Sequence, residues 1–182
     1  IATQGSYYDL LTPETFRATY LSETWGMKVV FINQLLRAPY IFRPERFAAY
    51  RIDDPETRRA LLHLLGYLMV HDVDGWWPYL NRYRPVIEQL WAAQDALGWD
   101  EEVTFHPYWH QDRGVTVASP QSPRLLASAY ARRGKLLLAV LNDTDQMQAV
   151  TVQLDLARLG VAAGLRGHDV WEPQLTYQLG PQ

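Results

Sequence analysis

Asp72 and Asp74 lie two residues apart, directly after the apolar stretch Gly66–Val70 and directly before Trp76 and Trp77. On an extended chain two such carboxylates point the same way, with Cα atoms about 6.5 Å apart. Paired carboxyl groups cleave glycosidic bonds at separations of roughly 5 Å or roughly 6.5–9.5 Å, depending on stereochemistry. Asp72 and Asp74 are therefore the catalytic candidates, each able to pair with an acid from another element. The adjoining indoles offer flat apolar faces to the C–H side of a sugar ring, which makes Trp76 and Trp77 substrate-binding candidates. His71 can orient an acid or bond a hydroxyl. The competing structural reading has Asp74 closing a turn with Gly75, Asp72 accepting bonds from a nearby loop, and the indoles filling a seam.

These groups need an element that delivers them to an opening. Tyr67–Val70 reads as a strand buried on both faces, the habit of parallel sheets covered by helices. In such sheets ligands meet the protein just beyond the carboxyl ends of the strands. Met27–Ile32 reads as an earlier strand of the same kind, ending at Asn33 and Gln34, whose amides can bond sugar hydroxyls. Arg37 and Tyr40 follow in an irregular stretch and are the remaining substrate-binding candidates, with an ion pair as the plainer role for the arginine. Helices are expected from Thr12-Pro13-Glu14 to Gly26, from Asp54-Pro55-Glu56 to Leu65 with Gly66 closing it, and from Pro85 to Leu97 with Gly98 as its stop. Alternating helix and strand is the pattern of a parallel α/β sheet.

After Trp99 the pattern changes. Val103-Thr104-Phe105, Val115-Thr116-Val117, Leu125–Ala131, Lys135–Leu141 and Ala149–Leu154 have strand composition and are separated by turn-forming residues. Arg132-Arg133-Gly134-Lys135 predicts a hairpin with Gly134 at a positive-φ position. Gln148–Leu154 alternates as a half-solvated antiparallel strand should. The expected division is residues 1–99 as the end of a parallel α/β barrel and residues 100–182 as an antiparallel β-sandwich. Two parallel strands and five or six sandwich strands are too few to stand alone, so the chain reads as cut at both ends.

The chain has 182 residues, a net charge of −3 and no long run of either sign, which argues against nucleic acid as a partner. No apolar run reaches the roughly 18–20 residues of a membrane span. With no cysteine, disulfides and thiolate metal sites are excluded. The spacing of His71, Asp72 and Asp74 matches no strong metal signature, and Pro107 keeps His106 and His110 off a common helical face, so no metal is expected. No phosphate loop, dinucleotide fingerprint or serine elbow is present, and no cofactor is implied. No targeting segment is visible, so the compartment is open, with a secreted or periplasmic location consistent with a glycan-directed role. Seven of the aromatic residues are Trp, and aromatics gather between Tyr67 and Trp109, a local demand for flat surfaces.

The order of βα units followed by antiparallel strands resembles the C-terminal end of (β/α)8-barrel glycoside hydrolases, of the family-123-like or α-galactosidase type. Gly66–Asp74 resembles a final barrel strand, and Val103–Trp109 a first strand after the last helix. Ser128-Ala129-Tyr130 to Val140-Leu141-Asn142, with the turns at Leu154-Asp155-Leu156 and Leu159-Gly160, resembles the paired sandwich strands. The resemblance implies a fragment of a carbohydrate-active enzyme, an oligosaccharide or glycoside substrate, and the upstream remainder of its own parent chain as a partner. It transfers no catalytic residue. Two alternatives keep the residues without the hydrolysis: a non-catalytic carbohydrate-binding module, and a structural module whose Trp-rich turn is a seam.

Overall fold

The computed structural model describes residues 55–72, 84–110 and 114–178. The chain divides into two compact units, Ile1–Arg82 and Tyr83–Gln182. Among the described residues the structure is mixed, with small antiparallel sheets and no closed barrel. The expected strand Met27–Ile32, the expected helix from Thr12, and the loop with Arg37 and Tyr40 lie outside the described residues.

In the first unit the described element is helix α1, Pro55–Val70. Pro55 opens it at a position where a missing N–H costs nothing. The helix then runs straight through Gly66, so the expected stop at Leu65 and the expected strand Tyr67–Val70 are both corrected: these residues are helical. The physical reason is visible in the burial. Leu61, Leu64 and Leu65 are buried, and so is every residue from Tyr67 to His71. A helix buried all round is apolar all round, and over a short window it cannot be told from a doubly covered strand by periodicity. A single interior Gly costs about 1 kcal/mol relative to Ala, too little to end a helix held by that much burial.

Among its described residues the second unit has helix α2, Arg84–Leu97, and seven strands with a short helix between the fifth and sixth. The helix and its stop follow the expectation closely. Val86, Ile87, Leu90 and Leu97 are buried along one side, and Gly98 ends it at φ +89°, its N–H reaching back to the carbonyls of Gln94 and Asp95. Strands β1 (Thr104–His106), β3 (Leu125–Arg132) and β4 (Lys135–Asn142) form an antiparallel sheet in the order β1-β3-β4. Strand β2 (Val115–Ser119) pairs with β5 (Thr151–Leu154), with a register shift between Val117 and Ser119. Strands β6 (Arg166–His168) and β7 (Thr176–Gln178) form a terminal hairpin, and α3 (Leu156–Leu159) follows β5.

Strand β3 explains the layering. Its sequence Ala127-Ser128-Ala129-Tyr130-Ala131 places three alanines on one face and larger groups on the other. The alanine face lets a second layer approach closely, and Val115, Leu159 and Val161 fill it, joined by half-buried Val117, Leu138, Val152 and Leu154. On the opposite face Tyr130 is 1% exposed, its ring 4.8 Å from Trp99 and 4.8 Å from its cross-strand partner Phe105. Helix α2 closes this face at its end, where Lys135 donates to the Ala96 carbonyl at 2.8 Å. The layers run helix, three-stranded sheet, two-stranded sheet.

The β3–β4 hairpin confirms the turn reading. Arg132 pairs with Lys135, leaving Arg133 at φ +46° and Gly134 at φ +79° as a two-residue turn. Positive φ at both central positions is the primed turn that matches strand twist. The far hairpin is fastened differently: Asp169 accepts from the N–H of Trp171 at 2.8 Å and of Glu172 at 2.9 Å, and the Trp171 indole donates to the Val86 carbonyl at 3.0 Å. Trp171→Phe keeps the ring and loses the donor, so it should lower stability by about 1 kcal/mol. Urea unfolding of the two proteins checks this; an unchanged midpoint would show the tether to be idle.

Candidate functional site

Two places were open to chemistry: the end of the apolar stretch at His71 and Asp72, and the hollows of the strand-rich unit. At the first, the structure removes the strand end. His71 and Asp72 form the turn that terminates α1. Asp72 is half-buried with φ +54°, the left-handed conformation that Asp tolerates at helix ends. Its N–H reaches the Met69 carbonyl at 3.4 Å. Two carboxylates sharing one face of an extended chain is therefore no longer the geometry at Asp72. Its intended partner Asp74, the indoles of Trp76 and Trp77, and Asn33, Gln34, Arg37 and Tyr40 lie outside the described residues.

His71 packs into the end of the helix. It is buried, and its Nδ1 donates to the Tyr67 carbonyl one turn back at 2.9 Å. Tyr67 stacks on it with centroids 5.8 Å apart, and His63 meets Tyr67 edge-on at 5.2 Å. The ladder His63–Tyr67–His71 follows the i, i+4, i+8 row of a helix, a signal present in the sequence that a strand reading hides. Burial holds the His71 imidazole below its ordinary value of 6.5, with the bond to Tyr67 opposing. His106, in the other unit, is lowered for the same reason, with Arg158 adding to it. Folding thus favours both rings neutral, while the unfolded chain takes up protons below about 6.5. Stability from these groups is full above that pH and falls as the solution is acidified below it. Thermal unfolding from pH 8 to pH 5 should show Tm declining below about 6.5, with a shallower decline in His71→Gln; a Tm that rises on acidification would contradict it.

Among the described residues of the strand-rich unit no acidic side chain is buried. The Arg132 guanidinium grips Asp100 bidentately, with Nε to Oδ1 at 2.8 Å, and also faces Glu102 at 3.3 Å. Arg133 pairs with Glu102. Arg132 holds the Asp100 carboxyl below its usual range, the opposite of what a general acid needs. This knot joins the end of α2 to the β3–β4 hairpin, and Gly98 makes room for it: a Cβ there would sit 2.4 Å from Arg132 Nη1. Among the described residues no group of His, Asp and Glu could hold a metal ion.

The remaining feature is an open recess of about 430 Å³ between the two sheets. Its apolar lining includes Val117 and Ala127, and its polar lining is Tyr108, Thr116, Gln121 and Ser122. No charged side chain is among the described lining residues. Tyr108 is held by its backbone N–H, which donates to the fully buried Ser128 hydroxyl at 3.1 Å. Its ring stands edge-on to Trp109 at 5.0 Å. Burial pushes the Tyr108 phenol upward, keeping it a neutral hydrogen-bonding group. Arg124, which follows the lining in sequence, turns instead to Asp143 and Asp145, at 3.6 and 3.9 Å.

No family model, curated protein or solved structure matches the chain. The roles of its residues therefore rest on geometry. Sequence reading assigned no site role to Tyr108, Thr116, Gln121 or Ser122. The Ser119-Pro120-Gln121-Ser122-Pro123 segment, which must interrupt a strand, was the available signal.

Proposed function

We propose that residues 83–182 form a non-catalytic β-module of a carbohydrate-active protein, a sandwich whose task is to hold glycan rather than cleave it. One observation supports this above the others: the recess of this unit is lined by neutral hydroxyl, amide and apolar groups, with its described carboxylates outside the lining and none buried. Hydrolysis needs a pair of carboxyl groups facing one bond. Binding a neutral sugar needs hydroxyl and amide partners beside an apolar surface. The recess has the second set. The resemblance to barrel-type hydrolases keeps its place in the proposal as the identity of the parent, whose paired carboxylates would then lie on other parts of that chain.

The test uses the 182-residue chain with a panel of neutral oligosaccharides. Affinity electrophoresis should show retardation by at least one of them, with no reducing ends released on prolonged incubation. Release of reducing ends that disappears in Asp72→Asn would overturn the module reading in favour of hydrolysis.

A further inference from the structure

We infer that the recess between strands β2 and β3 is a site for the ring of one neutral hexose, with Tyr108 as its wall and Thr116, Gln121 and Ser122 as its hydroxyl partners; this rests on the module reading above. Its volume of about 430 Å³ lies in the lower part of the range of roughly 300–1,000 Å³ usual for small-molecule sites, which suits one or two rings rather than an extended chain. The polar groups are of one kind. A phenol, an aliphatic hydroxyl, a primary amide and a second hydroxyl can each donate and accept, as every sugar hydroxyl does. Between them half-buried Val117 and exposed Pro123 present an apolar patch for the C–H face.

Charge supplies the selectivity. A uronate or sialic acid would lose its hydration on entry with no cation among the described lining residues to replace it, since Arg124 is turned toward Asp143 and Asp145. An amino sugar would likewise find no carboxylate among the described lining residues. The wall is also pre-positioned. Tyr108 is pinned through its N–H to buried Ser128 and through its ring to Trp109, so ordering it on binding costs little.

Isothermal titration of the full chain with methyl glucoside, methyl galactoside, methyl mannoside and glucuronate tests this. At least one neutral hexoside should bind and glucuronate should not. Tyr108→Phe and Thr116→Val each delete one hydroxyl with little change of shape, Gln121→Ala removes the amide together with its γ-methylene, and each should weaken binding about three- to tenfold. Circular dichroism and unfolding midpoints keep loss of binding separate from loss of fold, and Gln121→Ala, at an exposed position, is the variant least able to disturb the core. If the chain binds oligosaccharide and all three variants bind it equally well, the site assignment fails while the module reading stands. If the unaltered chain binds no glycan at all, the module reading fails and the site with it. Preference for glucuronate would also overturn the assignment.

Discussion

Tyr130→Ala should destabilise the strand-rich unit by about 3–5 kcal/mol, the range seen for truncating a large buried aromatic. Tyr130 is 1% exposed and stands at the centre of the three-stranded sheet. It is the residue on which Trp99 and Phe105 both lean, each at 4.8 Å between centroids. Removing its ring would leave a cavity that those two aromatics cannot close without moving the end of α2 and strand β1. With aromatic pairs worth about 0.5–1.5 kcal/mol beyond area burial, the loss should fall in the upper half of the range. Urea unfolding followed by tryptophan fluorescence reads it, because Trp99 reports on the site directly. A change below about 1 kcal/mol would mean that the helix and sheet are not packed as described.

On the other face of the sheet the largest effect is expected at Leu159. This side chain is 3% exposed and belongs to the cluster with Val115, Ala127 and Ala129. Its position is fixed by a short helix with a clear start and stop. The Asp155 carboxylate accepts from the Arg158 N–H at 3.0 Å, and Gly160 closes the turn at φ +64°. Leu159→Ala should cost about 2–5 kcal/mol. Gly114 opposite it is as small as it is for a reason, since a Cβ there would lie 2.7 Å from Leu159 Cδ2. Gly114→Ala alone should therefore destabilise by overpacking, by about 1–3 kcal/mol. The two changes together should cost less than their sum, because the methyl gained at one position enters the space vacated at the other. Strict additivity in denaturant titrations would show that the two residues do not meet.

The antiparallel half of the chain was legible because its signals are local. The Arg133-Gly134 turn and the helix ending at Gly98 each follow from a few neighbouring residues and stand where the sequence placed them, while the strand expected over Ala149–Leu154 forms at Thr151–Leu154. The terminal hairpin was not legible, because its strands are three residues long and depend on the distant bond from Trp171 to Val86. The stretch at Tyr67–Val70 misled for a deeper reason. Its buried residues surround a helix, so the one-sided stripe that identifies a helix is absent. Gly66 then suggested a stop that tertiary burial overrode. The correction reaches His71 and Asp72, which end a helix rather than a strand. The recess was hidden for another reason: Tyr108, Thr116 and Gln121 come from separate segments and share no spacing.

Nitrogen-15 NMR titration of the full chain with the best-binding neutral methyl hexoside would address most directly whether this molecule holds sugar between its sheets. Saturable shifts gathered on the amides of residues 115–117 and 121–122, with His71 and Asp72 silent, are the expected result. Shifts centred on His71 and Asp72, with strand β2 unmoved, would contradict it and return the chemistry to the end of the first helix.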